Sequence, residues 1–359
     1  MPRLKLLLLT NEPAHGGATG QINGYELMAL SGEIESCKNT SHREGYDDLS
    51  AYDRVLNAVQ RKDYDVIVIW SPVVFPNTLD QFAEIIKAIN GRPILYWEGD
   101  PWQKKDGKKP VTNQMSWWMS HSEIVFSTAT SPHFEIFRDI GAKTIVHMPN
   151  TYCHLFFKNE EYLSPNSLGT LRDITMIANN SARIPGVSGL PGTLKRIELA
   201  SRLHFNNKIS HNIFGRGWPK NWSSGNVPYS KQASEIRKSK LSVNWDNFID
   251  YHDYSSDRLP ISLIAGRIHI TTRHPGMNWA PNSEHGLFQE ESPKKIIEKA
   301  ENILFSDPEN LFKLGLEGHN WVKNRLSHRE AARYVLSSYF ENIKKPPEDP
   351  WSNLKRISY

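Results

Sequence analysis

Cysteine is nearly absent: Cys37 and Cys153 are the only two in 359 residues. Two cysteines cannot build a disulfide framework or a cysteine zinc cluster, and so low a count suits a reducing cytoplasm. Long apolar runs are missing too. The first, Leu6 to Leu9 with Leu4 beside it, falls far short of the roughly 20 residues of a membrane-spanning helix. No small-residue cleavage site follows it, so it does not read as a secretory leader. These absences predict a soluble, cytoplasmic protein with no transmembrane segment. A strong charge of one sign is also lacking. The 43 basic and 39 acidic side chains leave +4 with histidines neutral, which by itself does not call for nucleic acid. P-loop, GxGxxG, HExxH and GxSxG signatures are absent, as is any cluster with metal-ligand spacing, so ATP and dinucleotide sites, metallohydrolases and α/β-hydrolases are disfavoured and no metal is expected.

What is present is enough chain and enough apolar surface for two domains, with 38% hydrophobic residues. Eleven Trp, thirteen Tyr and fourteen Phe fill cores or stack on sugars and bases. Residues 3–10 read as a buried strand, followed by a glycine-rich turn and a helix from Ile22, the opening unit of a doubly wound α/β domain. Further strands are predicted at 65–70, 93–97, 123–127 and 143–148, with helices at 52–61 and 79–89. After a polar stretch at 158–170 the alternation restarts. Strands are predicted at 173–178, 211–214, 241–244 and 268–271. Helices are predicted at 192–203, 231–239, 258–265, 293–304, 308–325 and 328–343. Uninterrupted apolar strands between helices argue parallel sheets covered on both faces. The expected divisions are 1–160, 161–330 and a closing helical segment 331–359 that packs back on the first domain.

Ligands of open α/β sheets sit beyond the carboxyl ends of the strands, so the loops there carry the candidate chemistry. His15, Gly16 and Gly17 lie in the first glycine turn, where the backbone can approach a ligand; a tight turn alone accounts for the glycines equally. Asp100, after the strand at 93–97, is placed for general base work or for a sugar hydroxyl, although Asp-Pro is also a common turn pair. Gly215-Arg216-Gly217 with Lys220 offers backbone donors, a guanidinium and an ammonium, a set that suits a diphosphate. Ser256 and Asp257 read as caps of the following helix. Arg258 opposes that helix's dipole and so points to an anion. Arg273 and His274 follow the last predicted strand of the second half, His274 as an ordinary loop histidine.

The second half resembles the donor domain of group 1 glycosyltransferases, closest to the spore-maturation-type branch. The resemblance rests on Phe214 to Trp218, Asn226 to Tyr229, Lys240 to Asn244, Ser256 to Thr271 and the closing stretch Ser306 to Arg329, while Met148 to Phe156 is similar to the segment joining the two lobes. It implies a GT-B fold, two Rossmann-like doubly wound domains facing each other across a cleft. A hexosyl group would pass from a nucleotide-diphosphate sugar to a small-molecule or glycan hydroxyl. That transfer would be metal-independent, with no cofactor and, as in most relatives, with retention at the anomeric carbon. An inverting enzyme would instead need a base from the first domain, Asp100 or His15. Carried over by position, Gly215, Arg216 and Gly217 lie near the donor, Ser256 and Arg258 face its diphosphate and Arg273 assists. One residue departs: Ile261 stands where the family has the glutamate that holds the ribose, and the motif's earlier acidic position falls on Asp253. Two alternatives therefore stand beside the enzyme. One is a GT-B module impaired in donor binding. The other, less favoured, is a transferase acting on a nucleic-acid base, for which the lysine-rich stretch 102–109 is the candidate contact.

Overall fold

The computed structural model describes residues 3–12, 20–100, 111–154, 172–183 and 190–359. They fall into two compact units, Met1–Pro149 with His328–Tyr359, and Asn150–Ser327. The first unit runs β1 (Lys5–Thr10), α1 (Gly20–Leu30), β2 (Ser36–Ser41), α2 (Ala51–Gln60), β3 (Val66–Trp70), α3 (Leu79–Ile89), β4 (Ile94–Glu98), α4 (Asn113–His121), β5 (Ile124–Ser127), α5 (His133–Ile140) and β6 (Thr144–His147). The second runs β7 (Arg172–Ile177), α6 (Thr193–His204), β8 (His211–Phe214), α7 (Gln232–Ile236), β9 (Ser239–Val243), α8 (Arg258–Ile264), β10 (Ile268–Thr272), β11 (Leu287–Glu290), α9 (Pro293–Leu304) and α10 (Pro308–Arg325). The chain then returns to the first unit with α11 (His328–Ser337) and β12 (Arg356–Ser358). Among the described residues no helix is long and apolar enough to cross a membrane.

The first sheet has the order β12-β6-β5-β4-β3-β1-β2. Six strands are parallel and β12 adds antiparallel to β6. The Val-Ile-Val-Ile run of β3 is buried throughout, as befits a strand covered on both faces. Side-chain oxygens of Ser50, Thr78 and Thr112 accept from the backbone N–H three residues on and start α2, α3 and α4. Helix α11 packs on α1 so closely that a Cβ on Gly24 would lie 2.2 Å from the His328 carbonyl oxygen. Nearby, Glu33 takes the guanidinium groups of both Arg329 and Arg333. Burial opposes ionisation of Glu33, but the hydrogen bonds and charges of the two arginines prevail and hold it at about 2.

The second sheet, order β11-β10-β9-β7-β8, is wholly parallel. Where the chain enters and leaves this unit, Tyr152 pairs with Ser327 and donates its N–H to Leu326. The helix expected over 231–239 is shorter, because Ser239 opens β9. Its hydroxyl bonds Thr175 at 2.5 Å and its carbonyl accepts from Arg267. The helix expected over 328–343 stops at Ser337.

Candidate functional site

At the carboxyl edge of the second sheet, the turn after β8 docks on the end of β7. Gly215 has φ +132 and a Cβ there would lie 2.1 Å from the Ala178 oxygen, so only glycine fits. The Asn179 side chain accepts from the Arg216 N–H, Asn180 donates to the Gly217 carbonyl, and the Trp218 indole donates to Ala178. This anchoring leaves the Arg216 and Lys220 side chains exposed and without partners among the described residues. They line a recess of about 460 Å³ with Gly215, Gly217, Ser223 and Asn226.

Beside it lies a buried polar cluster. The N-terminus of α6 approaches the loop after β9 closely enough that a Cβ on Gly192 would sit 2.0 Å from the Asp246 oxygen. One turn on, Arg196 is buried and donates Nε to the Trp245 carbonyl at 2.7 Å. Burial lowers the Arg196 pKa to about 10, against the pull of Asp246. Asp246, fully buried, receives Asn244 Nδ2 at 2.5 Å and lies 2.9 Å from His274 Nε2, and its N–H donates to Thr272. Desolvation works against its charge, yet the His274 and Ser256 hydrogen bonds and the Arg196 charge outweigh that and hold it at about 2. Arg258 donates Nε to the Ile177 carbonyl and pairs with Asp257; burial opposes its charge, but Asp257 raises its pKa. Around these groups several buried polar atoms have no partner among the described residues: Asn180 Oδ1, Thr193 Oγ1, Asn244 Oδ1, Trp245 Nε1, Asn247 Oδ1 and His274 Nδ1. Buried polar atoms are ordinarily paired, which makes this group of them at one sheet edge a candidate ligand site.

Several expected roles take a different form here. The capping reading of Ser256 and Asp257 fails. Asp257 makes no side-chain cap bond, because its carboxylate turns to Arg258, and Ser256 instead bonds Asp246. Helix α8 has only seven residues, too few for a strong dipole at its start. Ile261 is 3% exposed in an apolar cluster with Ile177, Phe214 and Ile236. Asp253, at φ 60, is buried, donates its N–H to Pro275 and accepts the Trp279 indole. Its carboxylate lies against Gly276, where a Cβ would be 2.7 Å from Oδ1. It thereby holds the 275–279 turn. Arg273 is exposed and pairs with Glu291. This turn, with the ends of β10 and β11, encloses a cavity of about 1000 Å³ lined by Trp245, Thr272, His274, Met277 and Phe288 among others.

In the first unit Asp100 is exposed, two residues past β4. The buried carboxylate there is Glu98, which accepts from Ser71 Oγ at 2.5 Å, Tyr96 OH at 2.8 Å and the Asp100 N–H at 3.2 Å. Burial, then the Glu98 charge, raises the Tyr96 pKa well above its usual value. His15, Gly16, Gly17, residues 102–109 and Phe156 lie outside the described residues. Arg196, Asp246 and Glu98 were missed from sequence. The signal for each was a charged residue in a helix's first turns or at a strand's carboxyl end, a pattern that surface residues share.

No protein-family model matches the chain, and no curated protein matches it in sequence. Solved structures do resemble it in three dimensions. Anabaena HepE in complex with UDP-glucose aligns over 93% of this chain and 100% of its own, with 10% identity and a TM-score of 0.58. Sucrose-phosphate synthase from Thermosynechococcus elongatus aligns over 93% and 98%, with 10% identity and a TM-score of 0.60. A glycosyltransferase from Rickettsia africae ESF-5 aligns over 95% and 99%, with 12% identity and a TM-score of 0.60. The fold is α/β of the GT-B type.

Proposed function

We propose that the protein is a glycosyltransferase that moves a hexosyl group from a nucleotide-diphosphate sugar to a hydroxyl acceptor. The observation that carries this reading is a pair of cations, Arg196 and Arg258, at the carboxyl edge of the second sheet. Unsatisfied buried polar atoms surround them, and Arg216 and Lys220 stand free on the adjoining turn. Such a site is suited to a diphosphate. Cations aimed at the leaving group stabilise the charge that develops as the bond from the anomeric carbon to the β-phosphate oxygen breaks. The GT-B neighbours include one solved with UDP-glucose, which supports a nucleotide-sugar donor; the cations assign it to the second unit in this reading, leaving the acceptor to the first. In the retaining form, the acceptor oxygen bonds the anomeric carbon on the face the phosphate leaves, and the acceptor proton passes to that phosphate. The reading needs no metal ion, because arginines supply the positive charge. With Ile261 sealed in the core, the ribose grip of the resembling family has no counterpart at that position. Asp100 remains the first unit's candidate for an acceptor contact.

The test is a panel of uridine, guanosine, adenosine and thymidine diphosphate sugars with chelator present, scored for nucleoside diphosphate release and thermal stabilisation. Stabilisation and release by one donor are expected. No stabilisation by any donor refutes the reading in favour of a fold retained without donor binding.

A further inference from the structure

Beyond its place in the cluster, His274 has a feature that loop histidines lack. One ring nitrogen, Nε2, is fixed 2.9 Å from the Asp246 carboxylate, while the other, Nδ1, is buried and has no partner among the described residues. The side chain is 1% exposed and belongs to the wall of the 1000 Å³ cavity. Its backbone is tied to Gln289 and its ring meets the edge of Tyr254 at 5.3 Å. A carboxylate on one nitrogen fixes the orientation of an imidazole and favours its charged form, in which the second nitrogen also donates. Resting on the glycosyltransferase reading above, we infer that His274 is a ligand-contacting catalytic residue whose Nδ1–H donates to the donor's diphosphate, and that Asp246 is its positioning residue. His274 itself transfers no proton. When the glycosidic bond breaks, its electron pair moves onto the phosphate oxygen, and the imidazolium stabilises the charge that develops there.

The groups around the ring define the pH behaviour. Asp246 from the loop after β9 pairs with Nε2 and Tyr254 from the segment before α8 meets the ring edge, while Thr272, Arg273, Gln289, Glu290 and Glu291 from β10, β11 and their ends share the cavity wall. Arg196 and Ser256 act on it through Asp246. His269, lower on β10, is kept neutral by burial, at about 4, and so does not titrate in the working range. Asp246 stays ionised, held low against its burial by its hydrogen bonds and the Arg196 charge, and a charged imidazole binds an anion more tightly than a neutral one. The protonated form binds, so affinity is lost as pH rises.

Nucleotide sugars suit the test, because their doubly esterified diphosphates do not titrate in that range. UDP-glucose, GDP-mannose and ADP-glucose are titrated calorimetrically into the full chain at several pH values, in buffers of different ionisation heat. The bound donor should take up a fraction of a proton, and its affinity should be lost as pH rises. His274→Gln should abolish both the uptake and the slope, and Asp246→Asn should move the fall to lower pH. Binding without proton uptake by the wild type, or an unchanged slope in His274→Gln, overturns the inference while the donor site stands. If none of the three binds, the donor reading falls and this inference with it.

Discussion

Replacing Gly192 by alanine tests how tightly the site is built. Gly192 has φ −80, which alanine adopts freely, so the obstacle is space alone. A Cβ would meet the Asp246 oxygen at 2.0 Å and the Asn247 Cα at 2.8 Å, both backbone atoms. The N-terminus of α6 must therefore retreat by more than an ångström, and the Gly192 N–H bond to the Asn247 carbonyl at 2.8 Å must stretch or break. Overpacking costs about 1–3 kcal/mol and the hydrogen bond about 1 kcal/mol, giving roughly 2–4 kcal/mol, or a fall in Tm of roughly 5–15 °C. Arg196 moves with the helix, and a misplacement of that size reduces reaction or binding about 10²-fold. Gly45→Ala is the control: its φ is +72 but nothing lies within 4 Å, so only the left-handed strain of about 1–2 kcal/mol remains. Urea unfolding of both variants measures the difference. A Gly192→Ala protein as stable as Gly45→Ala would refute the close approach and the placement of Arg196 that depends on it.

Four further variants probe the same structure. Arg196→Met should lower stability by about 3–5 kcal/mol in urea unfolding, because Asp246 loses a buried countercharge and the Trp245 carbonyl its donor. Glu33 is depressed in the folded state to about 2 from its ordinary 4.5. Its contribution is therefore complete above about pH 4.5 and fades as pH falls toward 2, and Glu33→Gln should flatten that acid limb of the unfolding midpoint. Glu98→Leu leaves the Ser71 and Tyr96 hydroxyls unpaired in the core and should cost about 2–4 kcal/mol, whereas Asp100→Asn, an exposed change, should leave the urea midpoint within about 0.5 kcal/mol of wild type.

The frame of the fold was legible because β1, β3 and β4 are apolar runs and α3, α9 and α10 carry helical spacing after clear N-caps. Strand β2, Ser-Cys-Lys-Asn-Thr-Ser, escaped because an edge strand with a half-exposed face needs no apolar run. Edge strands β11 and β12, of four and three residues, leave too little pattern to find. Helix α4 hid behind its tryptophans, although Thr112 caps it and Met115, Trp118 and Met119 bury one face. At the site, Arg216 and Arg258 stood out through glycine and helix-start patterns. Arg196 did not, since a basic residue on an amphipathic helix ordinarily faces solvent. Asp246 and His274 are 28 residues apart in sequence, and no local spacing announces a pair made by two neighbouring parallel strands.

The account stands on a diphosphate held beside Arg258. Calorimetric titration of the nucleoside diphosphate released from the active donor, into wild-type and Arg258→Met protein, tests that directly. Loss of one charge-assisted contact predicts at least tenfold weaker binding by the variant with the fold intact. Equal affinity would place the diphosphate elsewhere and contradict the account.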